Sequence, residues 1–331
     1  MPVLNLPSAE RLHDFALSLH FDAWERLLRL IEDFEMDEQG DFKARADEWA
    51  AFTATANREL EMTTSYIAQA SELAMKATLC EVSPYLLLLG HGDALKSGKT
   101  NIDFSDLRTI DAVDLPNAIK VFGTTPLPDR FIDSFNELRK LRNKSTHMGE
   151  SFTSLDPKFL VEALTVQFCS LWPNRRFLHE WLRLSERGTN SYWKKDENWS
   201  RENHVFRFLP FLQRLLTKGQ FKRLLNREKS TRRYLCLKCL YEAENDWSDW
   251  HLSEIQTCFL SESGDTLECE VCLQSYPVTR QKCLDGKCRG NVISGNHPEV
   301  DAGLCHTCRQ DQEELAASAK KPPPQPDLKI V

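Results

Sequence analysis

Apolar residues recur at intervals of three and four along most of the chain, and the runs they make predict helices. Residues 8–38 read as two amphipathic helices, the first with Leu12, Phe15, Ala16 and Leu19 on one face, the second with Trp24, Leu27, Leu28 and Ile31. A longer helical stretch is predicted over residues 47–89, with Ile67, Ala70, Leu73, Ala74 and Ala77 on its apolar side and a break at Pro84. Residues 115–121 read as a short helix. Pro128 suits the first turn of the next, whose stripe runs Phe131, Phe135, Leu138 and which Gly149 can stop. Residues 159–184 supply another, with Leu164, Phe168, Leu171 and Trp172 as core and Pro173 as a local break. The pattern predicts a mainly α protein.

At 331 residues, 41% hydrophobic and 27% charged, the chain is long for one domain, so one sizeable core with one or two smaller modules is expected. The net charge of -7 argues against uniform attraction to nucleic acid and directs attention to local asymmetry. No apolar run reaches the roughly 18 uncharged residues of a membrane span. Residues 1–10 lack a basic stretch leading into an apolar core. The expectation is a cytoplasmic protein with no membrane partner.

Two polar stretches invite chemistry. Residues 90–100 end in Gly98-Lys99-Thr100 like a phosphate-binding loop, but the position five before Gly98 is Asp93 rather than glycine, and a helix rather than a strand precedes it. That segment reads as a polar surface loop. The second stretch, Arg142-Asn143-Lys144-Ser145-Thr146-His147, lies near the end of the helix that begins at Pro128. An imidazole moves protons near neutral pH, a guanidinium clamps phosphate oxygens, and an amide orients either group. On an unbroken helix turning about 100° per residue, Arg142 shares the side of Phe131, Phe135 and Leu138, while Asn143 and His147 share a more polar one. An arginine in an apolar stripe is costly unless it meets a carboxylate, a phosphate or a partner surface, so Arg142 is expected at an interface or in a cleft. Spacing alone fits equally well a group of cations complementing the dipole at a helix C-terminus. Glu72 and Lys76, four apart, read as a solvated ion pair.

Three segments go together: the helix through Ala68-Gln69-Ala70-Ser71-Glu72-Leu73-Ala74-Met75-Lys76-Ala77, the turn Leu107-Arg108-Thr109-Ile110, and Leu141 to His147. Over about residues 56–182 this arrangement resembles a HEPN domain, whose Arg-x4-6-His signature the last segment matches with a spacer of four and an asparagine after the arginine. The resemblance implies a helical bundle and a metal-independent endoribonuclease acting as a homodimer, the two Arg-His motifs meeting at its interface. It implies that His147 is the general base or acid at the ribose 2'-hydroxyl or leaving oxygen, that Arg142 stabilises charge on the phosphate, and that Asn143 orients one of them. Attack by the 2'-hydroxyl requires no catalytic metal, leaves a 2',3'-cyclic phosphate and spares DNA. A toxin or antiviral defence effector, restrained by an antitoxin or regulatory protein, is the setting such domains suggest. Other HEPN domains are non-catalytic dimerisation and binding modules.

Residues 201–233 are the basic exception, with ten lysines and arginines against Glu202 and Glu228. Phe206, Phe208, Phe211 and Phe221 are interleaved, so Arg214, Lys218, Lys222, Arg223 and Arg227 are candidates for holding RNA phosphates beside stacked bases. The same phenylalanines lie at helical spacing with Leu209, Leu212, Leu215 and Leu216 and serve equally as core.

Of eleven cysteines, nine fall between residues 236 and 308. In a reducing compartment such crowding points to metal. Cys236-x2-Cys239 with Cys269-x2-Cys272, and Cys283-x4-Cys288 with Cys305-x2-Cys308, predict two structural zinc ions held by thiolates alone. Sequential pairing gives two ribbons and alternate pairing a cross-brace; the ten-residue gap between Cys272 and Cys283 favours ribbons. Cys258, His251, His297 and His306 are alternative ligands, and the bystander reading is preferred for them. Eight carboxylates and no lysine or arginine lie from Glu242 to Glu268, so that loop should repel nucleic acid and meet protein, such as the basic segment before it. The expected organisation is N-terminal helices (1–45), a HEPN-like helical bundle (46–190), a basic helical connector (191–234), a small cysteine-rich two-zinc module (235–310) and a disordered tail (311–331).

Overall fold

The N-terminal apolar stripe forms the longest helix among the described residues. The structure, a computed structural model, describes residues 3–38, 41–88, 101–123, 125–145, 155–186, 200–244 and 250–319. Helix α1 (Ala9–Glu38) joins the two predicted N-terminal segments into one, because no glycine or proline separates them and the buried positions continue from Ala16 to Phe34. The predicted stretch 47–89 divides at Ala56 into α2 (Ala46–Thr55) and α3 (Asn57–Val82). Pro84 holds Ser83 extended and so ends α3. There follow α4 (Leu115–Phe122), α5 (Asp129–Asn143), α6 (Pro157–Leu171), α7 (Phe177–Ser185), α8 (Arg201–Leu215) and α9 (Lys218–Leu225). The last third carries α10 (Leu237–Ala243), α11 (Gln312–Ala319) and strands β3 (Cys258–Leu260), β4 (Thr266–Cys269), β5 (Ser275–Thr279) and β6 (Ile293–Ser294). Strands β1 (Val3–Leu4) and β2 (Ile102–Asp103) form a separate parallel pair. Among the described residues no helix is long and apolar enough to cross a membrane.

Contacts divide the chain into two units, residues 1–175 with 211–226, and 176–210 with 227–331. In the first, α3 is the axis against which α1, α4, α5 and α6 pack. Its buried Ala68, Ala70, Ala74 and Ala77 let the neighbouring helices approach. Phe131, Phe135 and Leu138 are buried as their spacing predicts. One polar network crosses this core: Trp24 Nε1 donates to His20 Nε2 (3.1 Å), His20 Nδ1 donates to Gln167 Oε1 (2.6 Å), and Gln167 Nε2 donates to Ile67 O (2.7 Å) and Ser71 Oγ (2.6 Å). Since Nε2 accepts from the indole, the hydrogen bonds assign the proton of His20 to Nδ1. Burial holds its pKa down to about 4.

The second unit joins α7 and the first part of α8 to the cysteine-rich module. Trp181 stacks on Phe208 with centroids 6.0 Å apart. The sheet has the order β3-β4-β5-β6, antiparallel throughout, and places Cys258 opposite Cys269 and Val278 opposite Ser294.

These divisions differ from the expected ones. The N-terminal helix belongs to the bundle because α1 lies along α3. The bundle ends at Arg175, and the connector is shared: residues 201–210 fall in one unit and 211–226 in the other, the division coming after Pro210 inside α8. Part of the expected tail is helical. Asp311 caps α11 by accepting the N–H groups of Glu313 (2.7 Å) and Glu314 (3.3 Å), and Leu315 packs on Cys283, Ile293 and Cys305.

Candidate functional site

Helix α5 keeps its geometry through Asn143, where the N–H of Lys144 is shared between the carbonyls of Leu141 and Lys140. Thr146 and His147 lie outside the described residues, as do residues 90–100. The projection of one continuous helix therefore holds for Arg142 and Asn143. Arg142, a quarter exposed, brings Nη1 to 3.5 Å from Glu72 Oε2 and donates from Nη2 to Asn143 Oδ1 at 3.3 Å. Lys76 Nζ donates to Glu72 Oε1 (2.9 Å) and Thr109 Oγ1 (3.3 Å). The N–H of Ile110 bonds to Leu87 O at 2.6 Å and Ile110 is buried, which pins the turn that carries Thr109.

The arginine in the apolar stripe thus finds its carboxylate within the same bundle. Glu72, read from sequence as half of a solvated pair, is only 22% exposed and Lys76 16%, and the carboxylate stands between two cations. The cluster retains one positive charge in excess, in surroundings drier than bulk water, where it attracts an anion more strongly. All three segments singled out in the sequence meet here: α3 through Glu72 and Lys76, the 107–110 turn through Thr109, and the end of α5 through Arg142 and Asn143.

The basic segment is largely engaged with acids of the chain itself. Arg214 pairs with Glu35 (2.5 Å), Arg223 binds Glu162 through two nitrogens (2.8 and 3.0 Å), and Arg227 binds Glu268 (2.5 Å) and Glu270 (3.0 Å). Lys218 and Lys222 are exposed. Phe206, Phe208 and Phe221 are buried, which makes them core rather than stacking platforms. The contact of Arg227 with Glu268 joins the acidic stretch to the basic segment, as their charges suggest.

The cysteines gather in sequence order. Cys236, Cys239, Cys269 and Cys272 form one cluster and Cys283, Cys288, Cys305 and Cys308 a second, with the sulfurs of each within 4.8 Å of one another. This is the ribbon pairing rather than the cross-brace. Within them Cys236 and Cys272 are 3.7 Å apart, Cys239 and Cys269 3.9 Å, Cys283 and Cys308 3.7 Å, and Cys288 and Cys305 3.9 Å. A tetrahedron with metal–sulfur bonds of about 2.3 Å has edges of about 3.8 Å. Both clusters therefore have the size to hold a metal ion.

Both end in the same backbone knuckle. In the first, the N–H of Leu273 bonds to Cys269 O (3.1 Å) and that of Cys269 to Gln274 O (3.0 Å); in the second, Arg309 N–H bonds to Cys305 O (2.8 Å) and Cys305 N–H to Gln310 O (3.1 Å). Leu273 and Arg309 consequently adopt left-handed φ values of 60 and 67°. Tyr276 Oη lies 3.3 Å from the Cys236 sulfur and 3.4 Å from that of Cys272, placed to donate to either thiolate. At the second cluster Gly290 N–H donates to Cys288 Sγ (3.2 Å), and a Cβ there would stand 2.5 Å from Cys305 Sγ. Only glycine fits. Each knuckle also buries a polar residue after its first cysteine. Glu270 (2% exposed) binds Arg176 at 2.6 Å and Arg227 at 3.0 Å, while His306 (0%) hydrogen-bonds through Nδ1 to Leu235 O at 2.8 Å. A cavity of about 310 Å³, lined by His179, Arg183, Arg201, Lys238 and others, opens on Cys239 and Cys272.

Sequence reasoning assigns no site role to Glu72, Thr109, Glu270 or Tyr276, because the contacts that give them one, with Arg142, Lys76, Arg176 and Cys236, span 33 to 94 residues. Comparison with known proteins brings no family to this chain: no family model, no curated protein and no solved structure matches it.

Proposed function

We propose that the protein is a metal-independent endoribonuclease of HEPN type whose cysteine-rich unit carries two structural zinc ions. The observation that carries the first part is the meeting of Glu72, Lys76, Thr109, Arg142 and Asn143 in one half-buried, net-positive cluster. In this reading Arg142 binds the scissile phosphate, with Glu72 orienting its guanidinium and Lys76 adding positive potential. His147 moves the proton of the 2'-hydroxyl or of the leaving oxygen. Two copies of the motif face each other in a cytoplasmic homodimer, and the substrate is RNA of a cell or an invader. An antitoxin or regulatory protein restrains it. Lys218, exposed at the start of α9, is an RNA contact outside the site.

The sulfur spacing of about 3.8 Å and the all-cysteine donor sets favour zinc. Four thiolates leave no open coordination position, so these ions stabilise the fold and take no part in cleavage.

The test is digestion of mixed RNA in excess EDTA, with zinc content measured in the same sample. Wild-type protein is expected to leave 2',3'-cyclic phosphate ends and to spare DNA, while Arg142→Ala/His147→Ala leaves RNA intact. Equal cleavage by both proteins would remove the assignment. A second reading, the non-catalytic binding module, is favoured by the contact of Arg142 with Glu72, which also suits a structural tie. It predicts no cleavage by either protein and a lowered melting temperature in the double variant.

A further inference from the structure

Five cysteines gather at the first cluster, one more than a tetrahedral ion needs. Cys258 stands directly opposite Cys269 in the β3–β4 ladder. Cross-strand partners project to the same face, with Cβ atoms about 4.5–5.5 Å apart, so the Cys258 thiol is on the ligand side of the sheet. A second tie fixes it from the other half of the cluster. Tyr234 N–H bonds to Cys258 O (3.0 Å) and Cys258 N–H to Tyr234 O (2.9 Å), two residues before Cys236. The side chain is wholly buried, and the backbone sets it beside Cys269 on one strand and next to the turn that carries Cys236 on the other side. Among the described residues the second cluster has no fifth cysteine beside it. Cys258 is the remaining cysteine of the unit once the two sets of four are assigned.

A buried cysteine ordinarily behaves as a small hydrophobe. One that the backbone places beside two metal-binding cysteines has a further use. We propose that Cys258 is a reserve ligand, taking the coordination position of Cys236 or Cys269 when either leaves the metal. The proposal rests on the zinc reading of this cluster. The exchange is balanced between the two cysteines. The metal–sulfur bond to Cys236 breaks, the bond to Cys258 forms, and the thiol proton of Cys258 passes to the departing Cys236 thiolate. The ion keeps four thiolates, and the charge of the site does not change.

Cobalt(II) tests this on the full-length chain, because thiolate-to-cobalt absorption grows with the number of bound sulfurs. The Cys236→Ala variant is expected to retain two cobalt ions and the full tetrathiolate intensity. Cys236→Ala/Cys258→Ala and the control Cys305→Ala are each expected to lose the contribution of one thiolate. The same loss in Cys236→Ala as in Cys305→Ala would overturn the proposal. Should Cys236→Ala not fold, metal release to a chelator from wild type and Cys258→Val decides. Several-fold faster release from the variant, with an unchanged cobalt spectrum, supports a reserve ligand, and equal rates refute it. Wild type without two tetrathiolate sites would instead sink the metal reading itself.

Discussion

The two cysteine knuckles have the same backbone and different anchors. Cys269 to Gln274 and Cys305 to Gln310 repeat one hydrogen-bond pattern, and in each the residue after the first cysteine is driven into the interior. In the first knuckle that residue is Glu270, held by two guanidinium groups; in the second it is His306, held by one carbonyl. The first cluster is also walled by Tyr276 and Cys258, whereas the second packs on Ile293, Leu315 and Gln312. A shared local geometry therefore does not imply a shared share of stability. What surrounds the metal-binding residues decides how far the fold depends on them.

The largest contrast should come from the ligands. Structural zinc contributes about 10–16 kcal/mol in small metal-folded peptides, more than most domains' net stability. Cys239→Ser, at a wholly buried ligand, is expected to abolish cooperative unfolding of the second unit. Cys308→Ser, at a half-buried ligand, should release one metal and preserve a cooperative transition. Calorimetry with metal analysis reads both, and equal damage would erase the contrast.

The anchors come next. Glu270→Ala removes the buried carboxylate that ties Arg176 to Arg227, which keeps Glu268, and should cost about 2–4 kcal/mol. His306→Ala leaves the carbonyl of Leu235 without its side-chain donor and should cost about 1–3 kcal/mol. Urea titrations giving the reverse order would show that burial of charge is not what distinguishes the knuckles.

The bundle offers a second histidine for comparison. His20 has a folded pKa of about 4, whereas an unfolded histidine titrates near 6.5. Between these values the unfolded chain binds the extra proton, so the stabilisation is complete above about pH 6.5 and falls as pH drops towards 4. The loss should reach roughly 3 kcal/mol in the first unit, and His20→Gln should flatten that slope. Urea midpoints measured across this range, unchanged in wild type, would contradict a neutral buried imidazole. The smallest effects belong to the left-handed knuckle residues. Leu273→Gly and Arg309→Gly relieve strain of about 1–2 kcal/mol each, less the entropy glycine loses on folding. A gain of about 0.5–1 kcal/mol per site is expected, and a loss at either would mean that its side chain is needed for packing.

The legible parts of this molecule are those whose information is local. Cysteine spacing of two or four residues reports a loop that can present two sulfurs to one ion, and the cluster composition follows that spacing. Phe131, Phe135 and Leu138 report a helix face for the same reason. Glu72 is different. Its partner four residues away was visible, but Arg142 lies 70 residues on, and only the packing of α5 against α3 brings them together. The basic segment misleads in the same manner, because Glu35 and Glu162, which neutralise Arg214 and Arg223, belong to α1 and α6. Local periodicity also placed helix ends imperfectly. A proline-rich terminus drew the tail boundary too early for α11, which Asp311 caps.

The division after Pro210 has a consequence for how the protein is made. The first unit is discontinuous: the chain leaves it after Arg175 and comes back for residues 211–226, whose helix α9 packs on α6. Domains fold as units while the chain emerges N-terminus first. The bundle therefore waits, exposed at the place where α9 will lie, until residue 226 has left the ribosome. At roughly 5–20 residues per second that interval lasts seconds. A stop anywhere in residues 176–217 would leave a bundle that is nearly complete and missing its last helix.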